Sequence, residues 1–232
     1  MTTNYAFWQD LLGLFYPHLC PACWSLQPPR GELLCTKCSF HLPQTNYHLK
    51  VQNPFTERFW GRLPIETGAA LFHFNKGSKT QRLIHQLKYK GRKDIGFRLG
   101  ERYGHYLNQA SHFQGIERVV PVPLHPKKLW LRGYNQSEAI SEGLSKSMNI
   151  PHLPHCLQRV NHAETQTRKS RMERMNNVLN NFVVSQPGEM AGRHILLVDD
   201  VMTTGATLEA CGLKILALEN TRLSLLTLAI AG

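Results

Sequence analysis

Several common signatures are absent from this 232-residue sequence. No apolar run is long enough to span a membrane, and the stretch from Tyr5 to Tyr16 contains Asp10 and lacks the basic start of a signal peptide. A membrane span and secretion are therefore not expected, and we predict a cytoplasmic protein. The sequence also lacks a G-x-x-x-x-G-K-[ST] loop and a G-x-G-x-x-G turn after a strand, which argues against Walker-type and dinucleotide-binding sites.

Acidic residues are scarce compared with basic ones. The chain has 27 Lys and Arg against 16 Asp and Glu, a formal net charge of +11. Such an excess attracts polyanions such as nucleic acid, or an anionic membrane surface. A generally basic protein with no such partner is the alternative. With 42% hydrophobic residues the chain can bury a sizeable core, so we expect a globular protein.

Four of the six cysteines form two C-x-x-C pairs, Cys20 with Cys23 and Cys35 with Cys38. This spacing is typical of a closed tetrahedral thiolate site, for which Zn²⁺ is the natural structural ion. Two disulfides or a single redox C-x-x-C are the alternatives, and both fit a cytoplasmic chain with two adjacent pairs less well. His18 and His41 lie beside the pairs and could replace a thiolate. The other two cysteines, Cys156 and Cys211, fall in apolar patterns and are predicted to lie in the core.

The sequence divides into an N-terminal helix and zinc-binding module over 1–43, a connector over 44–63 and a larger domain over 64–232. In the connector, Phe55, Phe59 and Trp60 are expected to anchor it to the larger domain. Strands alternate with helices, which predicts an α/β domain with a mainly parallel twisted sheet. The predicted strands cover 67–74, 118–123, 153–157, 182–184, 195–198 and 223–230, and the predicted helices begin at Ser78 or Thr80, Asp94, Ser137 and Ala206.

One glycine pattern in this domain predicts packing and not chemistry. Gly96, Gly100 and Gly104 fall one turn apart in the helix that begins at Asp94. Each glycine costs about 1 kcal/mol against alanine inside a helix. We therefore expect another backbone to pack closely against that face.

The segment from His194 to Thr207 contains the most specific motif. A short apolar strand over 195–198 precedes Asp199 and Asp200, and then come Thr203, Thr204 and Gly205 before a helix opens at Ala206. Free N–H groups and the positive end of that helix suit a phosphate. The carboxylates would repel a phosphate, so they are expected to accept hydrogen bonds from sugar hydroxyls or to reach a metal. An ordinary turn with two solvated aspartates is the alternative.

This segment resembles the 5-phosphoribosyl-1-pyrophosphate (PRPP) motif of type I phosphoribosyltransferases. The resemblance implies that Asp199 and Asp200 hold the ribose hydroxyls and act in catalysis, and that the loop up to Thr207 holds the 5-phosphate. It also implies that Mg²⁺ accompanies PRPP. The implied PRPP-binding residues are Asp199, Asp200, Val201, Met202, Thr203, Thr204, Gly205, Ala206 and Thr207.

A cationic segment follows the strand at 118–123. It runs Pro-Leu-His-Pro-Lys-Lys and then Arg-Gly-Tyr-Asn-Gln, with Gly133 allowing close approach of a ligand. With the cysteine pairs and the PRPP motif, in this order, it resembles the ComF family of competence-associated proteins over nearly the whole chain. The resemblance implies a pyrophosphate loop that includes Leu124, His125, Lys127, Lys128 and Arg132. A solvated basic loop is the alternative, and Tyr134 to Gln136 could simply cap the next helix.

Two further basic segments are candidate sites. The stretch over 166–177 has the position of the fold's flexible catalytic loop, where Arg168 and Lys169 are the catalytic candidates. Arg168, Arg171 and Arg174 recur every third residue and could contact either pyrophosphate or nucleic acid, although a solvated loop is an equal alternative. Four more cations surround Tyr89. This combination can bind single-stranded nucleic acid by charge and stacking, and an ordinary exposed helix end is the alternative. These nucleic-acid candidates are Lys88, Lys90, Arg92 and Lys93.

The ComF resemblance implies handling of single-stranded DNA during natural transformation, with a DNA-uptake helicase or a recombination mediator as a partner. Three functions follow as hypotheses: a nucleobase phosphoribosyltransferase of salvage metabolism, a non-catalytic sensor of PRPP or a nucleotide, and a DNA-uptake adaptor. Turnover of PRPP distinguishes the first from the second. Salt-sensitive binding of single strands identifies the third, which can coexist with either.

Overall fold

A four-stranded parallel sheet lies at the centre of the protein, for which a computed structural model describes residues 19–160 and 181–232. The strands are β1 (Thr67–Phe74), β2 (Arg118–Pro121), β3 (Leu157–Arg159), β4 (Phe182–Val184), β5 (His194–Met202) and β6 (Arg222–Ala231). The helices are α1 (Thr36–His41), α2 (Lys79–Tyr89), α3 (Lys93–Asn108), α4 (Pro126–Arg132), α5 (Gln136–Met148) and α6 (Ala206–Leu216), with single 3₁₀ turns at Tyr47–Leu49, Thr56–Phe59, Ser111–Phe113 and Pro187–Glu189.

The central sheet has the order β1-β6-β5-β2, and each neighbouring pair is parallel. This confirms the predicted fold class, an α/β domain with a mainly parallel sheet. β1 has the predicted bounds. β5 continues through Asp199 and Asp200 to Met202, so the two acids lie within the strand and not after it.

Both faces of the sheet are buried, because alternate residues of each strand enter different apolar clusters. Leu196 and Val198 of β5 pack with α2, α3 and α5 on one face. Ile195 and Leu197 pack on the other face with α6, the 3₁₀ turn at Thr56–Phe59 and the β3–β4 pair. Continuous apolar strands of this kind are the expected sequence of a doubly covered sheet.

The predicted strand at 153–157 is wrong. β3 begins only at Leu157, and it pairs antiparallel with β4 in a separate two-stranded sheet. The predicted strand at 182–184 is present as β4, but it does not join the central sheet. Its pairing depends on a partner far away in sequence, which local alternation does not reveal.

Two predictions about local structure are also corrected. The cationic segment after β2 is not an open loop, since α4 occupies Pro126–Arg132. Asp94 does not cap α3, because the cap position is Arg92 and Asp94 lies in the first turn. The Arg92 side chain donates two hydrogen bonds to the Asp94 carboxylate, at 2.8 and 2.7 Å.

The prediction of close backbone packing at the α3 glycines is confirmed. A Cβ on Gly96 would lie 3.1 Å from the Ala139 Cβ of α5, and one on Gly100 would collide with the Ile140 carbonyl. A Cβ on Gly104 would collide with the Ser147 side chain of α5. The glycine face of α3 therefore allows α5 to approach along its whole length.

The connector over 44–63 packs tightly on the sheet. The Asn53 side chain donates a 2.9 Å hydrogen bond to the Gly68 carbonyl of β1, and Phe55 and Phe59 are fully buried. The prediction that Trp60 also anchors this segment is wrong, because its side chain is 63% exposed.

Several predictions concern residues outside the described ranges. These are the N-terminal helix, His18 and the basic stretch over 166–177 with Arg168, Lys169, Arg171 and Arg174. Within residues 19–160 and 181–232, no helix combines the length and apolar character that crossing a membrane requires.

Candidate functional site

A cleft of about 480 Å³ opens where β2 and β5 end at the same edge of the central sheet. It brings together residues from three of the predicted groups. The PRPP motif contributes Asp199, Asp200, Val201, Thr203 and Thr207, the cationic segment contributes Leu124, Lys128 and Arg132, and the helix end at α2 contributes Lys88. Ligands of open α/β sheets bind at this edge, so the location suits a binding site.

Some members of the predicted groups do not line the cleft. Met202 is buried beneath the loop, and Gly205 is buried as well. Thr204 and Ala206 are exposed but lie outside the cleft lining, as do His125 and Lys127. The side chains that face the cleft are thus a subset of each predicted group.

Asp199 is held by two donors. Its Oδ1 accepts hydrogen bonds from the Ser137 hydroxyl at 2.9 Å and from the Asp200 N–H at 2.8 Å. Burial, followed by the charge of Asp200, raises the pKa of the Asp199 carboxyl to about 7. Ser137 lies in the first turn of α5, which is fixed to the end of β2 by a 3.0 Å hydrogen bond from Asn135 to the Val122 carbonyl. Sequence reasoning missed this role of Ser137.

Asp200 forms an ion pair with Lys88, whose Nζ lies 2.9 Å from Oδ2. The Asp200 residue is only 8% exposed. Asp199 and Asp200 both line the cleft. Lys88 was predicted as a nucleic-acid contact, and the structure places it inside the cleft beside an acid of the PRPP motif.

The loop after β5 leads directly into α6. Gly205 adopts the left-handed conformation with φ of 79°, and a Cβ there would lie 3.0 Å from the Phe59 ring. Both the backbone conformation and this close contact favour glycine. The first N–H groups of α6 have no partner inside the helix. The Ala206 N–H donates to the Thr204 hydroxyl at 3.4 Å, and the next N–H groups of the first turn are the ones that suit an anion. This part of the motif has the predicted form.

Two arginines of the connector hold this loop from behind. Arg58 donates to the Thr203 carbonyl at 2.5 Å and to the Ala231 carbonyl at 2.7 Å. Arg62 donates to the Thr204 carbonyl at 3.4 Å and pairs with Glu209. Sequence reasoning missed both residues, because no local pattern connects positions about 145 residues apart.

The cationic wall of the cleft belongs to α4 and its end. Arg132 donates a 2.6 Å hydrogen bond to Gln136 and lies 5.2 Å from the centre of the Tyr89 ring. Gly133 ends α4 in the left-handed conformation, with φ of 74°. Its flexibility was predicted to serve ligand approach, and the structure uses it to end the helix. His125 caps the same helix by accepting from the Lys127 N–H at 3.1 Å.

The remaining nucleic-acid candidates around α2 lie at different surfaces. Lys93 is exposed and its Nζ lies 5.0 Å from the centre of the Tyr134 ring. Arg92 is engaged with Asp94, whereas Lys90 lines a second pocket beside the cysteine cluster. Lys90 and Arg92 thus belong to the second pocket, whereas Lys88 lies in the cleft.

The four cysteines of the two C-x-x-C pairs converge. The sulfur atoms of Cys20, Cys23, Cys35 and Cys38 all lie within 4.8 Å of one another. Cys23 and Cys35 are 3.8 Å apart, and a tetrahedron with Zn–S bonds of about 2.3 Å has S···S edges of about 3.8 Å. The donor set and its size therefore fit Zn²⁺. His41 is exposed and does not belong to the cluster.

The thiols of this cluster occupy different environments. A hydrogen bond from the Ser25 backbone lowers the pKa of Cys23 to about 6, whereas burial raises the pKa of Cys35 and of Cys38. A buried cluster of thiolates is stable only with a cation at its centre. Zn²⁺ bound by the four sulfur atoms would stabilise the deprotonated form of these thiols.

The cysteine module packs directly on the α/β domain. Its cysteines belong to the same apolar cluster as Leu83 of α2 and Leu99 of α3. Polar contacts add to this packing, since Gln86 donates to the Pro21 carbonyl and Arg102 donates to the Ser39 hydroxyl at 2.9 Å. The module and the helices thus share one core.

Comparison with known proteins gives relatives concerned with competence and DNA utilization. The chain is 42% identical to competence protein F of Haemophilus influenzae over 93 residues, which cover 40% of this chain and 41% of that protein. It is 31% identical to the DNA utilization protein YhgH of Escherichia coli K12 over 203 residues, 84% of this chain and 83% of that protein. Competence protein ComFC of Bacillus subtilis is 25% identical over 82% of this chain and 68% of its own length.

Among solved structures, glutamine PRPP amidotransferase from B. subtilis superimposes with a TM-score of 0.43 and 18% identity, over 62% of this chain and 30% of that one. No protein-family model matches the chain.

Proposed function

The chain belongs to the family of competence protein F, YhgH and ComFC, and from that membership we propose that its cleft binds PRPP with Mg²⁺ in the service of DNA utilization. The observation that carries the proposal is the cleft itself. It unites two carboxylates, the opening turn of a helix and a wall of cations around about 480 Å³. These three groups match the hydroxyls, the 5-phosphate and the pyrophosphate of PRPP.

Each part of PRPP has a chemical counterpart in the cleft. The carboxylates of Asp199 and Asp200 accept hydrogen bonds from the ribose hydroxyls. The 5-phosphate lies at the free N–H groups of α6, next to Thr203 and Thr207. The pyrophosphate faces Lys128 and Arg132, which offer charge-assisted hydrogen bonds.

Mg²⁺ suits the same site, because it prefers carboxylate and phosphate oxygens over nitrogen or sulfur ligands. Asp199 and Asp200 are the residues that would hold it, and the ion would neutralise charge on the pyrophosphate. Lys88 Nζ lies 2.9 Å from Asp200 Oδ2, so a cation stands beside the carboxylate that would contact the ligand.

The names of the relatives and the charge of +11 support the second half of the proposal, action on single-stranded DNA in natural transformation. A basic protein binds a single strand through contacts to phosphates. Each contact adds roughly −0.7 to the slope of the logarithm of the binding constant against the logarithm of the salt concentration. A DNA-uptake helicase or a recombination mediator would be the partner in that process.

Two roles of bound PRPP are compatible with the cleft. In a transferase, an acceptor attacks the anomeric carbon, and the bond to pyrophosphate breaks as the new glycosidic bond forms. In a sensor, PRPP or a nucleotide binds without turnover and alters DNA handling. Release of pyrophosphate from PRPP, with and without nucleobases and single strands, distinguishes the two.

Binding itself is tested by ligand-dependent thermal stability, because a ligand that binds only the folded chain raises the melting temperature. PRPP with Mg²⁺ should raise the melting temperature of the parent and of Lys50→Ala. This variant is the control, because it removes the charge of an exposed residue outside the cleft. PRPP should stabilise Asp200→Asn much less. Equal stabilisation of all three proteins would place the ligand elsewhere, and none in the parent would reject PRPP.

A further inference from the structure

A second pocket, of about 650 Å³, lies between the cysteine module and α2. Trp24 of the module forms one side, and Arg82, His85 and Gln86 of α2 form the other. Gln81 and His85 also line the cleft described above, so the two cavities share a wall. A ligand can therefore extend from one into the other.

Trp24 has an unusual backbone conformation for so large a residue. Its φ is 60°, in the left-handed region that favours glycine, and its N–H closes the turn by donating to the Cys20 carbonyl at 2.9 Å. The side chain is nevertheless 57% exposed. A tryptophan that occupies a glycine-favouring turn and does not contribute a buried side chain is explained by a ligand that it contacts.

The pocket is positively charged. Its lining includes Arg82, Lys90 and Arg92 and, within the described ranges, no acidic residue. Arg92 is engaged by Asp94, but neither Arg82 nor Lys90 forms a salt bridge to any residue in 19–160 or 181–232. These two cations are available to an anionic ligand.

One face of α2 connects the two cavities. Arg82, His85 and Tyr89 are exposed and fall at i, i+3 and i+7, so they lie in one row along the helix. The rings of His85 and Tyr89 lie 5.0 Å apart, and Arg132 lies over Tyr89 at the cleft end. Alternating cations and aromatic rings are the arrangement that binds bases and phosphates of a single strand.

We propose that this pocket is the base-stacking site for single-stranded DNA. One base stacks on the Trp24 indole, the adjacent phosphates contact Arg82 and Lys90, and the strand continues along the exposed face of α2 toward the cleft. The inference deepens the DNA part of the proposed function and rests on it. Since the contacts are to ring faces and phosphates, the site does not distinguish between base sequences.

The test is anisotropy of a fluorescent oligothymidine in a salt series, on the parent and on Trp24→Gly. Glycine relieves the left-handed turn, so this variant should fold at least as well as the parent. Its affinity should fall by about tenfold, the usual effect of losing one stacked base. Trp24→Phe should recover most of the affinity. The double variant Arg82→Ala with Lys90→Ala should show a shallower salt slope, which corresponds to the loss of one to two phosphate contacts.

Controls separate this inference from the proposed function. Trp60→Ala removes an indole of similar exposure outside both cavities and should bind the oligonucleotide like the parent. Thymidine monophosphate should compete poorly, since it has a single phosphate; strong competition would identify a mononucleotide site instead. Unchanged affinity in Trp24→Gly, with the parent binding normally, would overturn the inference alone. Absence of binding to the parent would overturn the DNA part of the proposed function as well.

Discussion

The Asp199 carboxyl is a buried acid beside a second acid, and both conditions disfavour its ionised form. It accepts from Ser137 and from the Asp200 backbone, yet burial and the neighbouring acid raise its pKa to about 7. The group therefore changes its charge near neutral pH. In the cleft, an ionised Asp199 suits Mg²⁺ and a protonated one does not.

This raised pKa predicts a pH-dependent stability. An unfolded aspartate titrates near 3.9, so between about pH 4 and 7 the folded chain binds more protons at Asp199 than the unfolded chain does. The free energy of unfolding should fall as the pH rises through that window. Asp199→Asn keeps an oxygen for both donors and removes the titration.

Urea unfolding of the parent and of Asp199→Asn at pH 5, 6, 7 and 8 measures the effect. The parent should lose stability relative to the variant from pH 5 to 7, with a smaller loss from pH 7 to 8. A stability difference that is constant with pH, or one that runs in the opposite sense, would contradict a raised pKa of the Asp199 carboxyl.

At the scale of elements, the contact between α3 and α5 sets the position of Ser137. The glycine face of α3 allows α5 to lie close, and the first turn of α5 carries Ser137 to Asp199. The Phe97 carbonyl of α3 in turn faces Gly143 of α5, so each helix presents glycine to the backbone of the other. Packing at this interface is therefore connected to the geometry of the cleft.

Gly100→Ala tests this packing. Alanine is favoured over glycine in a helix by about 1 kcal/mol, but its Cβ would collide with the Ile140 carbonyl, and overpacking costs typically about 1–3 kcal/mol. We expect a net loss of stability in denaturant unfolding. Gly188→Ala is the control, because a Cβ there meets nothing within 4 Å, and its stability should stay within about 0.5 kcal/mol of the parent. A Gly100→Ala protein as stable as the control would mean that the helices are not in close contact.

Elements with a strong local signal were predictable from the sequence. β1 has a continuous apolar run, and α2 is capped by Ser78, whose side chain accepts from the Gln81 N–H at 3.2 Å. Elements that depend on distant partners were not predictable. β3 exists because β4 pairs with it, and the prolines around α4 gave the appearance of a loop.

The candidate site divides in the same way. The composition of the loop from Asp199 to Thr207 was readable in sequence because it is contiguous. The ion pair of Lys88 with Asp200 and the support of the loop by Arg58 join segments more than 100 positions apart. Only the fold brings such residues together, so their roles had no sequence signal.

At the scale of the whole molecule, the cysteine module and the α/β domain depend on one another. The four cysteines share an apolar cluster with α2 and α3, and α2 also forms a wall of the cleft. Loss of the metal should therefore lower the stability of the α/β domain as well as that of the module.

We predict one Zn²⁺ per chain in metal analysis and none in Cys38→Ser. The melting temperature of that variant should fall by roughly 5 °C or more, because metal binding is part of the folding free energy. Cys156→Ala, a change outside the cluster, should keep the metal. A metal-free chain with the melting temperature of the zinc-loaded protein would contradict a structural role for the ion.

The central claim is that the cleft at the end of β5 binds PRPP, and calorimetric titration with PRPP and Mg²⁺ tests it most directly. The parent should bind one PRPP per chain. Asp200→Ala should bind more weakly by about 1.5–3 kcal/mol, the usual effect of removing a hydrogen bond to a charged group, whereas Lys50→Ala should bind like the parent. Equal affinity of the parent, Asp199→Ala and Asp200→Ala, or no binding to the parent, would contradict the claim.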